Sequence, residues 1–557
     1  MRSDKAPQWS LILLLLCYSP LWAAEKPAKA AIASAHPLAT EAGHEILRKG
    51  GNAFDAAVAV TAVLAVVEPY SSGLGGGGFW LLHRASDGFQ TMVDGRERAP
   101  LAAHRDLYLD EQGEVIPGKS IDGALAAGIP GVPAALVHLT ENYGELPLGE
   151  LLKPAIEIAA NGFAVDQHYL RMAKWRLPVL QAHSASAEQF LQQGEVPAEG
   201  YLLKQPDLAD TLRVIADRGI EGFYQGELAQ RLVDGVSSAG GIWTLQDLAE
   251  YRIVERRPIT GHYKGLRITS AAPPSSGGIA ILTMLNILEV LNYSGLPEPQ
   301  KTHLLVEAMR RAYRDRAEYL GDPDHVQVPA EKLIHPLYGA GLARSIDLQR
   351  ATASPKQPQL KRSEGEDTTH FSILDRQGNR VSATLSINYP FGSGVVVPGT
   401  GVLLNDEMDD FSASPGVANV YGLIGGEANA IEAGKRMLSS MTPTFVEDAQ
   451  RVAILGTPGG SRIITMVLLG ILEMAEGSDP QAWVSRPRFH HQYLPDVIQM
   501  EPNAISQQLA KQLGEMGHSF KRLNNPYGNM QAVLWNRSTG QIEAASDPRG
   551  VGMAKVD

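Results

Sequence analysis

Cysteine is almost missing from this chain. Of 557 residues only Cys17 carries a thiol, and it stands in the leading segment rather than in the body of the protein. A lone thiol closes no disulfide within the chain, and a body without cysteine has neither a thiolate nucleophile nor a cysteine-ligated metal centre. Aromatic residues are sparse at 6%, and basic residues are outnumbered: 49 Lys and Arg stand against 61 Asp and Glu, a net charge of −12. No basic stripe or arginine-rich tail breaks this balance, so the electrostatic footprint of a nucleic-acid-binding protein is absent. Long apolar runs are few. Ala56 to Val67 is apolar but well short of the roughly 20 residues a membrane span requires, and reads as a buried helix.

What remains is an ordinary globular composition, 44% hydrophobic and 20% charged, long enough for two to four domains or one large composite. The start of the chain differs in kind. Arg2 and Lys5 precede the apolar run Leu11 to Leu16, and the small residues Ala23 and Ala24 precede the polar Glu25-Lys26-Pro27. That order predicts a secretory signal peptide over 1–24, cut near Ala24, and an exported protein, periplasmic or secreted, without a stable membrane anchor. Leu16 is bulky where a lipidated Cys17 would want a small neighbour.

Along the body, residues 37–50 read as a helix stopped by Gly50-Gly51, and Asn52 or Asp55 as the cap of the next helix, ending before Pro69. Gly73 to Gly78 form a glycine loop feeding a strand at Phe79 to His83, with a second strand near Thr91 to Val93. The loop lacks the Lys-Ser/Thr of a phosphate loop and does not open a helix, so close backbone packing is its better reading. Residues 150–320 are expected to be mostly helical, clearest in the amphipathic stretch from Leu304. Residues 350–366 are polar and read as an exposed linker. Thr368 to Leu374, the turn Asp375 to Asn379, and Arg380 to Ile387 then make a hairpin. His490-His491 lack any companion metal motif and read as buried, hydrogen-bonded histidines. No GxSxG elbow is present.

The sharper signal is Asp367-Thr368-Thr369-His370, where the linker meets the first hairpin strand. A threonine hydroxyl is a weak nucleophile unless a base adjoins it. An N-terminal α-amine, with an intrinsic pKa of roughly 7.7–8.0, is such a base, and cutting the linker before Thr368 would create it. Taken alone, Thr-Thr opening a strand is ordinary β-propensity.

Its companions are specific. TTHFSILD, LSINYPFGSG, GVLLNDEMDDFS, PGVANVYGLIGGEANA, KRMLSSMTPT, GTPGGSRIIT, RPRFHHQYLPD and ASDPRG follow in order. NAFDAAVA, GLGGGGF, DGRERAP, GIPGVP and PPSSGG stand upstream. Over nearly the whole body this pattern resembles the γ-glutamyltransferase family of N-terminal-nucleophile hydrolases. The resemblance implies an α+β fold, a four-layer αββα sandwich built jointly by two subunits cut from one precursor at Asp367–Thr368. These are a large subunit of 25–367 and a small catalytic one of 368–557.

It implies further that Thr368 is the nucleophile and Ser386 the second hydroxyl beside it, where the family often has Thr. Gly459 and Gly460 match the oxyanion-hole glycines. Arg96, selected over Arg98 by the motif register, matches the arginine that clamps the substrate α-carboxylate, assisted by Ser439 and Ser440. Asn388, Glu407 and Asp410 match the residues holding the α-ammonium, Glu407 standing where many bacterial members have Gln. Tyr421 matches the gating aromatic of a lid loop over 415–430. No metal or organic cofactor is implied. The expected partners are γ-glutamyl donors such as glutathione, with amino-acid or peptide acceptors. Two rival readings are a cephalosporin or glutaryl acylase of the same fold, and a silent scaffold that binds γ-glutamyl peptides.

Overall fold

The structure is a computed structural model that describes residues 26–355 and 368–557. The signal segment, most of the linker and Asp367 lie outside the described residues.

Helix formation begins where the sequence places it. The first helix, Pro37–Arg48, carries Pro at its first turn and ends against Gly50 at a φ of 95°. The next, Ala53–Val67, opens with a reciprocal capping box. Asn52 accepts from the amides of Phe54 and Asp55, and Asp55 accepts from the Asn52 amide. Every residue of this helix is buried, which its all-round apolar sequence requires.

A seven-stranded antiparallel sheet lies beneath it, in the order Met553–Val556, Ala31–Ser34, Thr369–Leu374, Arg380–Ser386, Gly77–Arg84, Phe89–Gly95, Val254–Arg256. A six-stranded antiparallel sheet packs on its other face, in the order Ile542–Ser546, Gln531–Asn536, Arg451–Gly456, Thr444–Glu447, Leu266–Ser270, Ile259–Tyr263. The period of two along a strand sorts side chains between two cores. Trp80 and Leu82 join the core under the N-terminal helices, while Phe79 and Leu81 join the core between the sheets. Helices Gly277–Val290, Glu298–Tyr319 and Ile463–Ala475 cover the second sheet and complete the fourth layer.

Besides the two-residue strands Phe163–Ala164 and Leu202–Leu203, the strands Val254–Arg256, Ile259–Tyr263 and Leu266–Ser270 interrupt the region expected to be mostly helical. The last three are short and partly exposed, but Val254–Arg256 pairs with Phe89–Gly95, Ile259–Tyr263 with Leu266–Ser270, and Leu266–Ser270 with Thr444–Glu447, and this pairing compensates for their weak local signal. The glycine loop is the close-packing device anticipated. A Cβ on Gly75 would lie 2.0 Å from the Leu403 carbonyl oxygen, and one on Gly76 would lie 2.2 Å from that of Ser386. Among the described residues no helix is long and apolar enough to cross a membrane.

Candidate active site

Thr368 sits immediately before the strand Thr369–Leu374, deep in the middle of the first sheet, and is 5% exposed. The strand fixes it from both sides. Thr369 donates its hydroxyl to Glu68 at the end of the buried helix (2.6 Å), and His370 shares a 2.8 Å hydrogen bond with Thr384 on the neighbouring strand. Burial pushes the Glu68 carboxyl up to about 7 and the His370 imidazole down to about 3. Thr368 itself has a φ of 144°, a conformation that L residues with branched side chains adopt at a cost.

At the end of the adjacent strand, Ser386 places its hydroxyl 3.3 Å from that of Thr368. Ser386 accepts from the Asn388 amide (2.8 Å) and is hydrogen-bonded to Glu407. Asn388, at a φ of 74°, is held by its side-chain nitrogen donating to the Asp406 carbonyl at 3.0 Å. The hydroxyl of Tyr421 donates to the Asn388 carbonyl at 2.6 Å, so the loop carrying Tyr421 folds over this corner.

Arg96 enters from the end of strand Phe89–Gly95 and is 1% exposed. Its Nε donates to the Met437 carbonyl (3.2 Å), Nη1 reaches Glu407 at 2.6 Å and Glu97 at 3.4 Å, and Nη2 reaches Asp410 at 2.5 Å. Arg316 lies behind, donating to Ser440 at 3.3 Å and to Ser276 at 3.1 Å. Three carboxylates thus share the Arg96 guanidinium, with Arg316 acting on Asp410 from farther off, and with all three ionised the set is one positive charge short of neutrality. Burial pushes Glu407 up to about 7 against the pull of Arg96, and pushes Glu97 up as well. Each of these two carboxylates keeps one oxygen with no hydrogen-bond partner. Such a site favours an added cation.

Ser439 and Ser440 are positioned by the PPSSGG segment. Ser276 donates to the Ser439 carbonyl (2.7 Å) and Ser275 to that of Met441 (2.6 Å). Gly459 and Gly460 turn the chain into helix Ile463–Ala475 with φ values of 134° and 55°, which only glycine adopts freely. A Cβ on Gly460 would lie 2.6 Å from the Tyr421 ring.

These groups converge. Arg96, Thr368, Ser386, Asn388, Glu407, Asp410, Tyr421, Ser439, Ser440 and Gly460 line one small cavity of about 20 Å³, with Gly459 next in the chain. That volume holds about one water molecule. Thr368 also lines a second cavity of about 520 Å³, bounded by Glu68, Tyr70, Trp175, Arg462 and Arg549 among others. The nucleophile candidate therefore stands at the seam between a small, charged chamber beside Tyr421 and a much larger one. Arg98, the rival of Arg96, points elsewhere, to the carbonyls of Gly434 and Glu250. His490 and His491 are buried and hydrogen-bonded, as expected.

Sequence reasoning passed over Glu97, Glu68 and Arg316. Glu97 lies within the DGRERAP motif and Arg316 on the amphipathic helix, but a charged residue in a motif does not reveal which neighbour it meets.

Residues 39–556 match the family model described as gamma-glutamyltranspeptidase. The chain belongs to the γ-glutamyltranspeptidase family. Among its relatives, a Pseudomonas protein named glutathione hydrolase proenzyme is 45% identical over 509 residues, covering 90% of this chain and 88% of its own length. An Escherichia coli protein of the same name is 42% identical over 527 residues, 93% of this chain and 90% of its own. The crystal structure of a cephalosporin acylase from Bacillus halodurans superposes with a TM-score of 0.83 at 28% identity, over 100% of this chain and 98% of that one. The γ-glutamyltranspeptidase fold and the αββα sandwich seen here are thus one architecture, shared with acylases.

Proposed function

We propose that this γ-glutamyltranspeptidase hydrolyses glutathione and other γ-glutamyl amides and transfers the γ-glutamyl group to amino acids or peptides, using Thr368 as nucleophile. The observation that carries the reading is the seam position of Thr368, with Ser386 at 3.3 Å and the Arg96–Glu407–Asp410 set in the small chamber. The names of the relatives, glutathione hydrolase proenzymes, support it.

The chain is first a precursor. The Thr368 hydroxyl attacks the Asp367 carbonyl, the peptide nitrogen leaves as the amine of Thr368, and water hydrolyses the resulting ester. This frees a large subunit ending at Asp367 and a small one beginning at Thr368. The new α-amine then takes the Thr368 hydroxyl proton as the oxygen attacks the substrate γ-carbonyl. The Gly459–Gly460 turn presents backbone N–H groups to the tetrahedral oxyanion, each such donor worth about 10²–10³ in rate. The leaving amine collects the proton and departs into the larger cavity. Water or an acceptor amine enters from that side and cleaves the γ-glutamyl ester. Neither step needs a metal or organic cofactor.

Recognition follows from charge. The α-carboxylate of the donor pairs with Arg96 and the hydroxyls of Ser439 and Ser440, and its α-ammonium supplies the positive charge that the Glu407–Asp410 pair lacks. This distinguishes the reading from an acylase, because a glutaryl chain has no ammonium and gains nothing from two buried carboxylates. Export, with removal of 1–24, accompanies this reading.

The test compares γ-glutamyl and glutaryl anilides on the purified protein. Preference for the γ-glutamyl compound by at least about 10²-fold, from one buried charge pair, is the expected result. Equal rates, or a preference for glutaryl, would move the acylase to first place.

A further inference from the structure

The segment RPRFHHQYLPD contains a glutamine, Gln492, that the mechanism above does not use. Gln492 is 4% exposed and makes four hydrogen bonds. Its nitrogen donates to the Gly422 carbonyl at 2.9 Å and to the Tyr421 carbonyl at 3.3 Å, both in the lid loop. Its oxygen faces the Ser461 hydroxyl at 2.8 Å and His490 Nε2 at 2.8 Å. The orientation of the amide is forced, because the two lid carbonyls only accept. The oxygen must then take protons from the other side, which puts the His490 proton on Nε2. His490 Nδ1 in turn faces the Thr465 hydroxyl at 2.9 Å, in the first turn of helix Ile463–Ala475.

Ser461 directly follows Gly459 and Gly460, and its carbonyl accepts from the buried Tyr313 hydroxyl. One amide therefore ties the lid to the turn that carries the oxyanion donors. The two parts also touch directly, since the Tyr421 ring lies over Gly460 where any Cβ would strike it. Other lid contacts, Tyr421 to the Asn388 carbonyl at 2.6 Å, Val420 to Asp409 at 2.9 Å and Asn419 to Asp410 at 3.1 Å, lead to the substrate-binding corner, and Gly426 to the Ala317 carbonyl at 2.9 Å leads to helix Glu298–Tyr319.

We propose that Gln492 is a positioning residue that latches the lid to the oxyanion turn, so that closing over a γ-glutamyl group and aligning the Gly459–Gly460 amides are one event. The inference rests on the reading of Thr368 as nucleophile and adds a coupling between lid and catalyst. Its two halves separate by substitution. Gln492→Glu keeps an oxygen toward Ser461 and His490 but sets a second oxygen against two carbonyls, which breaks the lid side alone. Ser461→Ala removes one donor on the turn side and leaves the lid bonds in place.

The experiment measures hydrogen–deuterium exchange of residues 416–426 and steady-state kinetics with a γ-glutamyl anilide, on the full self-processed protein. Gln492→Glu is expected to speed lid exchange about tenfold and to raise KM by a similar factor with kcat changed less, from the loss of one to two buried hydrogen bonds. Ser461→Ala is expected to lower kcat with KM near wild type. Should the Glu variant fail to accumulate, Gln492→Met removes both sides of the latch and is expected to speed lid exchange, raise KM and lower kcat together. Wild-type lid exchange and wild-type KM in a folded Gln492 variant would overturn the latch. Wild-type protein that stays uncut and inert toward γ-glutamyl amides would instead overturn the nucleophile reading, and the exchange result would still stand as a test of the latch.

Discussion

At the scale of single residues, the site is a problem in burying charge. Arg96 is enclosed by Glu97, Glu407 and Asp410, and of the four only Asp410 keeps part of its side chain exposed. Arg96→Ala is expected to weaken donor binding by about 2–5 kcal/mol, the range for breaking one buried charge pair. The measurement is KM for donors with and without the α-carboxylate, and an equal loss for both would reject the clamp. Glu407 gives a pH signature. Its carboxyl is pushed up to about 7 by burial, so it is neutral below that pH and ionised above it. Only the ionised form attracts an ammonium, and kcat/KM for the donor should rise as pH climbs through 7. Glu407→Gln should flatten that limb, and an unchanged profile would remove Glu407 from recognition.

At the scale of elements, two glycine segments bring backbone where side chains would not fit. The loop at Gly75–Gly76 presses on the carbonyls of Leu403 and Ser386, and the Gly459–Gly460 turn lies beneath Tyr421. Gly460→Ala combines a φ of 55° with a Cβ 2.6 Å from the Tyr421 ring. It should displace the lid and lower kcat/KM by about 10²-fold, as loss of one oxyanion donor does; wild-type kinetics would show that the turn tolerates a methyl group. Much of this level was legible in the sequence. The capping box at Asn52 and Asp55, the hairpin opened by Thr368 and the packing role of the glycine loop follow from local chemistry. The hairpin Ile259–Tyr263 and Leu266–Ser270 was missed, because its anchoring partner Thr444–Glu447, which pairs with Leu266–Ser270, lies far along the chain and docks these short strands into the sheet. The residues that converge beside Thr368 were named through the family resemblance, and Gln492 was not, since a lone glutamine reveals nothing of what its two ends touch.

At the scale of the whole molecule, both sheets mix residues from before and after Thr368. In the first sheet Ala31–Ser34 lies between Met553–Val556 and Thr369–Leu374, and in the second Leu266–Ser270 pairs with Thr444–Glu447. Two chains cut at Thr368 would thus remain interlocked through shared ladders and a common core. Stability should also carry the mark of Glu68, buried beside Thr369 with its carboxyl raised to about 7. In the unfolded chain this group ionises near 4.5, so the folded state binds the extra proton between those values. Its contribution is full below about 4.5 and lost as pH rises through 7. Relative to wild type, Glu68→Gln should therefore gain in Tm between pH 5 and 8; a constant difference across that range would contradict the assignment.

The central claim is that Thr368 cuts its own chain and then serves as the nucleophile. Intact mass of the purified protein beside a Thr368→Ala variant tests it most directly. The account predicts two chains dividing between Asp367 and Thr368 in wild type, and one uncut chain in the variant. A single chain in both, or two chains in both, would contradict it.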